Sequence, residues 1–265
     1  MRVFAHAFAA VATVALFSSP SWAQSGTPVA YTDPDTDITF DTWTVPEKLS
    51  QGGLTFGLAL QSDALSTDAT EFIGYLLCSS TNATFTGWCG ISLGGTMTDS
   101  LLLLAYPHGE DILTSFRYTT AYHKPDVYTG DAKLTQLSST INATHYSLIF
   151  RCSNCLQWSQ DGASRNASTS AGVLNLGWAQ SFAAPGSPDC PSDITLSYHD
   201  NGHNIFAATL KDAPNKSYTD WTALPQTTVT GSCSTKPAPI STRIPSSSAS
   251  VSAGATATPK YRRRV

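Results

Sequence analysis

What most constrains the fold of this chain is a series of short apolar segments, separated by clusters of Gly, Asn, Asp, Ser and Pro, with no long stretch of helical period. Segments 38–43 and 54–60 alternate apolar and polar residues, the period-two mark of a strand with one buried face. Segments 71–78, 88–93 and 101–106 are nearly continuous apolar runs, as expected of buried strands. Segments 112–118, 132–137, 146–151, 173–182, 194–199 and 205–210 continue the series, and 217–224 reads as a short terminal helix. Turn signals at such short intervals predict an all-β fold, an antiparallel immunoglobulin-like β-sandwich of about ten or eleven strands. No internal repeat is visible.

The ends of the chain follow different rules. Met1-Arg2 is followed by an apolar stretch to Phe17, broken by His6 and Thr13, and Ser21-Trp22-Ala23 has the small-x-small form of a signal-peptidase site. Residues 1–23 are therefore expected to be a signal peptide, with Gln24 the first residue of a secreted, extracellular chain. No other stretch is long and apolar enough to span a membrane. Residues 24–233 are expected to form the folded domain, large enough for one sizeable core. From Ser234 onward, Ser, Thr, Pro, Ala and Gly make up 21 of 32 residues, a composition too poor in apolar surface to fold. Residues 234–265 are expected to be a disordered tail with a basic end, Lys260-Tyr261-Arg262-Arg263-Arg264-Val265.

Two further signals agree with secretion. Four N-x-S/T sequons stand at Asn82, Asn142, Asn166 and Asn215, candidate glycosylation sites. Six cysteines, an even number, suit an oxidising compartment and allow 15 pairings. Proximity in sequence favours Cys78 with Cys89 and Cys152 with Cys155, which leaves Cys190 with Cys233. Cys152-Ser153-Asn154-Cys155 has redox C-x-x-C spacing, but its surroundings are β rather than βαβ, which favours a structural bridge. Residue 156 is Leu rather than His, so the c-type haem attachment signature is missing.

The net charge of −4 conceals an asymmetry. Segment 24–233 holds all 19 acidic residues and eight basic ones, a formal charge of −11. The last 32 residues hold six basic residues and no acid. So acidic a domain is a poor partner for nucleic acid or an anionic membrane, and could be steered toward a basic patch on another protein.

Motifs for several chemistries are missing: no H-E-x-x-H, nucleophile elbow, P-loop or zinc-finger spacing is present. With every cysteine paired, no thiolate remains for a blue-copper site, and a mature chain starting at Gln24 lacks the N-terminal histidine of the copper polysaccharide oxygenases. Two segments stand out. Met97, the one methionine besides the initiator, sits in the turn Gly94-Gly95-Thr96-Met97-Thr98-Asp99-Ser100, directly before an apolar run. It reads as a half-buried packing residue or as a thioether ligand to a soft or borderline metal. Tyr198-His199-Asp200-Asn201-Gly202-His203-Asn204 opens a tight Asp/Asn/Gly turn, from which an imidazole can reach a prosthetic group while the strands hold its base. His199 and His203 compete for that role, and two exposed loop histidines is the simpler reading. His145, beside its sequon, reads as surface.

The turn around Met97 closely resembles the methionine loop in the haem-b cytochrome domain of fungal cellobiose dehydrogenases. Other stretches agree in order and spacing: Asp33-Pro34-Asp35-Thr36, Glu71-Phe72-Ile73-Gly74-Tyr75, Arg117-Tyr118-Thr119-Thr120-Ala121-Tyr122, Phe150-Arg151-Cys152-Ser153-Asn154-Cys155, His199-Asp200-Asn201-Gly202 and Ser217-Tyr218-Thr219-Asp220-Trp221. The resemblance covers about 24–233. It implies a β-sandwich holding one haem b, with Met97 and His199 as the axial ligands and Tyr122 near the haem propionates. His203 matches no ligand position.

What the resemblance implies about function is electron transfer. Two protein ligands close the iron to oxygen and substrate, the thioether favours the ferrous state and raises the potential, and fixed six-coordination keeps reorganisation small. The expected donor is a flavin-dependent sugar dehydrogenase, and the expected acceptor a copper polysaccharide oxygenase, ferric iron or a quinone, in lignocellulose breakdown. A monomer is expected. The resemblance ends at the tail, where no flavin-binding G-x-G-x-x-G follows. Two readings follow: a free-standing cytochrome of the family serving separate enzymes, or a truncated cellobiose dehydrogenase. A haem-free carbohydrate-binding β-sandwich is the alternative of a different class.

Overall fold

The computed structural model describes residues 27–45, 52–80 and 86–233. The expected signal peptide, the sequon at Asn82 and the expected tail lie outside the described residues. Two sheets face each other across the main core. One has the strand order β1-β2-β3-β4-β10-β9, built from Val29–Thr32, Thr39–Val45, Leu54–Gln61, Phe72–Ser79, His145–Ser153 and Lys133–Ile141. The other has the order β14-β13-β5-β6-β7-β8, built from His203–Thr209, Val173–Ser181, Trp88–Ser92, Leu102–His108, Asp111–Tyr118 and Asp126–Val127. A separate hairpin pairs β11, Gln157–Gln160, with β12, Ala163–Asn166. Among the described residues, every strand pairing is antiparallel except that of the two-residue β15, Pro214–Asn215, which runs parallel to β3.

The alternation along each strand explains the layering. On β5, β6 and β13 the residues Cys89, Ile91, Leu103, Leu174, Leu176 and Trp178, with Leu101 just before β6, point into the main core, where they meet Phe56, Phe72, Leu76 and Phe150 from the first sheet. Burial of such side chains is the dominant favourable term in folding, about 1.5–3 kcal/mol for each large one. Cys78 on β4 is joined to Cys89 on β5 across this core, and Cys152 to Cys155, and Cys190 to Cys233.

The outer faces of the two sheets have different fates. A short helix α1, Tyr218–Thr222, covers the first, packing Tyr218 and Trp221 against Ile38, Phe40, Ile73 and Tyr75. Arg151 holds Glu71 by two-pronged hydrogen bonds of 2.8–3.1 Å beside it, and Tyr218 donates its phenol to the same carboxylate. On the second sheet, a Pro-rich strap through residues 183–200 covers part of the outer face, burying Ile194, and half-burying Leu196, against Trp88, Leu104, Tyr106 and Leu113.

This strap corrects one expectation. Segment 194–199 is not a strand; Thr195 alone bridges Gly186 within the strap. The strap is held instead by side chains of the sheet beneath. Tyr106 donates to the carbonyl of Pro188, Ser115 to that of Pro191, and the buried Arg117 guanidinium to those of Pro191 and Ser192. Its prolines have no N–H to offer a ladder.

Candidate functional site

The uncovered part of that outer face is floored by small residues in register. Gly90 on β5 lies between Ala179 on β13 and Leu104 on β6, and Ser92 lies between Gly177 and Leu102. A Cβ at Gly90 would come within 2.6 Å of the Leu104 side chain, and one at Gly177 would run into the carbonyl oxygen of Gly95. The result is a cleft of about 770 Å3, of the size that holds a cofactor. Three turns wall it, contributing Met97, Tyr122 and His199 respectively, and His203 joins them from the start of β14.

The methionine turn is closed at its base, where Leu93 N–H donates to the carbonyl of Leu101 at 3.0 Å. Ser92 Oγ donates to the carbonyl of Thr96 at 2.5 Å, drawing the turn down onto β5. Gly95 has φ +85°, a left-handed conformation that glycine adopts without strain. Met97 is half-buried.

The histidine turn is bolted to β13. Asn201 N–H donates to the carbonyl of Gln180 at 3.0 Å, and Gln180 N–H returns a bond to the carbonyl of Gly202 at 2.9 Å. The buried side chains repeat the link, Asn201 Nδ2 donating to Gln180 Oε1 at 2.8 Å. Asp200 accepts from Ser181 Oγ at 2.8 Å and from Phe182 N–H at 3.1 Å. The turn therefore presents His199 in a fixed place. Its ring packs at a tilt against Tyr198, with centroids 4.1 Å apart, and against His203, 4.0 Å apart. Burial, and after it the neighbouring His203, holds the His199 imidazole below its ordinary pKa. Its Nδ1 is buried without a hydrogen-bond partner, as is Asn201 Oδ1.

Tyr122 stands at the rim, 83% exposed, opposite Tyr198 at 70%. Lys124 lines the same cleft, and no carboxylate does, which sets this patch apart from the acidic domain around it. Of the sequons, Asn142 and Asn166 are exposed and Asn215 is half-buried in β15. His145 is hydrogen-bonded to Asn142 at 2.7 Å, away from the cleft. Sequence reasoning did not single out Gly90 and Gly177, although a lone glycine inside a strand pattern signals close approach of another chain segment. Nor did it find Gln180 and Asn201, whose pairing depends on tertiary placement.

The family model for the cytochrome domain of cellobiose dehydrogenase matches residues 31–220. The chain belongs to this family. Among solved structures, the cytochrome domain of Myriococcum thermophilum cellobiose dehydrogenase is 57% identical, with a TM-score of 0.75 over 78% of this chain and 100% of that one. The cytochrome b domain of pyranose dehydrogenase from Coprinopsis cinerea is 28% identical, with a TM-score of 0.61 over 75% of this chain and 97% of that one. A curated relative, the pyrroloquinoline quinone-dependent pyranose dehydrogenase of Coprinopsis cinerea, is 31% identical over 178 residues. The chain spans 23% of that relative's length.

The cofactor of these cytochrome domains is haem b, which leaves the haem-free carbohydrate-binding alternative without support. The residues of the cleft fit the group. A thioether and a neutral imidazole are the donor types that haem iron takes from methionine and histidine. The His199 Nδ1 orphaned from hydrogen bonding and the side-chain-free cradle at Gly90 and Gly177 both fit a large flat occupant. A lining with one cation and no carboxylate fits a dianionic one. Among the described residues, no helix is long and apolar enough to cross a membrane.

Proposed function

We propose that this cytochrome domain is a single-electron carrier in which Met97 and His199 are the axial ligands of haem b and Tyr122 attends its propionate edge. The observation that carries the reading is that one cleft is walled by the thioether of Met97 and the imidazole of His199, from turns far apart in sequence. The bound haem supplies a one-electron couple. The chain's own residues do the rest. The soft Met97 sulfur favours the reduced state and raises the potential. Burial, which lowers the pKa of His199, favours the neutral imidazole that a metal takes as a ligand. The small residues Gly90, Ala179 and Gly177 would leave room for the group on the floor of the cleft. Tyr122 and Tyr198, both exposed, mark the rim at which a partner docks.

The donor is a sugar dehydrogenase, flavin- or quinone-dependent, a reading supported by the enzymes whose cytochrome domains this chain resembles. The acceptor is a copper polysaccharide oxygenase, ferric iron or a quinone, outside the cell, with residues 1–23 directing secretion and Asn142 and Asn166 carrying glycans. Visible spectra of the holoprotein before and after dithionite test the site. A sharp reduced Soret band with resolved α and β bands is expected of the wild type. Met97→Ala is expected to give an open coordination position and a lower potential, and His199→Ala to lose the haem. Loss of haem from His203→Ala with retention in His199→Ala would overturn the ligand assignment. Stopped-flow mixing of the oxidised protein with a flavin-dependent dehydrogenase and its sugar tests the donor.

A further inference from the structure

Asp99 lies two residues beyond Met97, where the turn enters β6. It is held by two parts of the fold, the end of β7 and the β11–β12 hairpin. Its N–H donates to the carbonyl of Thr119 at 2.8 Å. Its carbonyl accepts the indole Nε1–H of Trp158, on the β11–β12 hairpin, at 3.1 Å. Its carboxylate oxygen Oδ1 faces the phenol of Tyr118, on β7, at 3.3 Å. Burial, and after it the charge of Asp99, raises the pKa of that phenol.

The backbone at Asp99 is also unusual. Its φ is +56°, in the left-handed region that residues with a Cβ seldom occupy, though Asp tolerates it better than most. Such a conformation persists only where the surroundings hold it. Trp158 is 4% exposed, and its ring edge lies against the turn, 3.2 Å from where a Cβ at Gly94 would stand. The hairpin thus meets the methionine turn at two points, Gly94 before Met97 and Asp99 after it. Thr119, which takes the Asp99 N–H, also begins the segment that carries Tyr122 to the cleft, with its hydroxyl donating to the carbonyl of Ala121 at 2.7 Å.

We infer that Trp158 and Asp99 form a clamp that positions the Met97 turn, so that the hairpin sets how firmly the Met97 thioether binds the haem iron. The inference rests on the reading of Met97 as an axial ligand. Trp158 and Asp99 touch neither the iron nor the other ligand; they act through the turn. Without the indole N–H, the carbonyl of Asp99 loses its partner, and the left-handed turn relaxes toward commoner conformations that withdraw the sulfur. One such hydrogen bond is worth about 0.5–1.5 kcal/mol net, which corresponds to roughly a two- to tenfold change in the ratio of bound to detached methionine.

Carbon monoxide competes with the methionine for the reduced iron, so its apparent affinity reads that ratio. The experiment titrates carbon monoxide into the dithionite-reduced holoprotein as wild type, Met97→Ala, Trp158→Phe and Asp99→Ala. Trp158→Phe keeps an aromatic side chain but removes the N–H with the second ring; Asp99→Ala removes the carboxylate and disfavours the left-handed backbone while leaving Trp158 in place. Met97→Ala is expected to bind carbon monoxide tightest. Each clamp variant is expected to bind it roughly two- to tenfold more tightly than wild type, with a midpoint potential displaced toward that of Met97→Ala. Wild-type carbon monoxide affinity and potential in both clamp variants, whether or not their melting temperature falls, would mark a merely structural contact and overturn the clamp. If Met97→Ala binds carbon monoxide no better than wild type, the ligand assignment fails first, and the clamp with it.

Discussion

Gly177 on β13 lies directly against the carbonyl oxygen of Gly95, with no room between them for a side chain. The contact lets the methionine turn rest on the sheet, so the position is sensitive to a single methyl group. Gly177→Ala forces the turn away from the strand. The expected cost is about 1–3 kcal/mol of stability, typical of an overpacked site, together with a lower ratio of Soret to protein absorbance. Thermal unfolding and that ratio, measured on one preparation, check it.

Gly90 plays a different part, because the first atom a side chain there would meet is the flexible end of Leu104 at 2.6 Å, with the carbonyl oxygen of Leu103 next at 3.3 Å. Gly90→Val suits a strand and is expected to leave the apoprotein folded, while its branches and the displaced Leu104 crowd the floor of the cleft. Titration of apoprotein with haemin is expected to show affinity lowered at least about tenfold, a loss of ~1.4 kcal/mol, with little change in the melting temperature of the apoprotein.

The pairing of Gln180 with Asn201 fixes the histidine turn from inside. Both side chains are buried, and Gln180 Nε2 also donates to the carbonyl of Ser79 at 2.8 Å. Asn201→Ala leaves Gln180 Oε1 buried and unpaired, at an expected cost of about 1–3 kcal/mol. Faster haem loss to an excess of apomyoglobin is expected with it, since the turn that presents His199 loses its inner anchor.

Asp41 gives the fold a pH dependence unrelated to the cleft. It is buried on β2 with Oδ2 unpaired, and burial first, then the charge of Asp212, raise its pKa. The folded chain thus binds this proton more tightly than the unfolded one. The stabilisation is fully present below the ordinary carboxylate value of about 3.9, and is lost as pH rises through the raised folded value. Asp41→Asn is expected to melt higher than wild type at neutral pH, with the gap closing toward pH ~4. Melting curves of both proteins across that range check the sign.

The strand pattern was legible where alternation or a buried apolar run was strong: segments 54–60, 112–118 and 173–182 correspond closely to β3, β7 and β13. It misled at 194–199, where apolar alternation packs a Pro-rich strap onto a sheet face without any ladder, a distinction that depends on tertiary partners. The β11–β12 hairpin was missed although Asp161-Gly162 at its tip is a strong hairpin signal; both residues have positive φ, 54° and 79°. Met97 and the pair His199 and His203 stood out in their turns, while the choice of His199 and the place of Tyr122 came from the family resemblance; all four residues line one cleft. The floor was not legible, because Gly90 and Gly177 do nothing individually; only the register of β5, β6 and β13 makes them neighbours. The same holds for Trp158, whose indole reaches Asp99 across the fold.

The cleft lies outside the sandwich, while the main core between the sheets is filled by the chain's own side chains and bridged by Cys78–Cys89. The apoprotein is therefore expected to fold without haem and to take it up afterwards. Strand pairing and disulfide closure can run to completion in its absence. A cell that makes this chain faster than it makes porphyrin would accumulate folded, colourless protein that turns red on the bench.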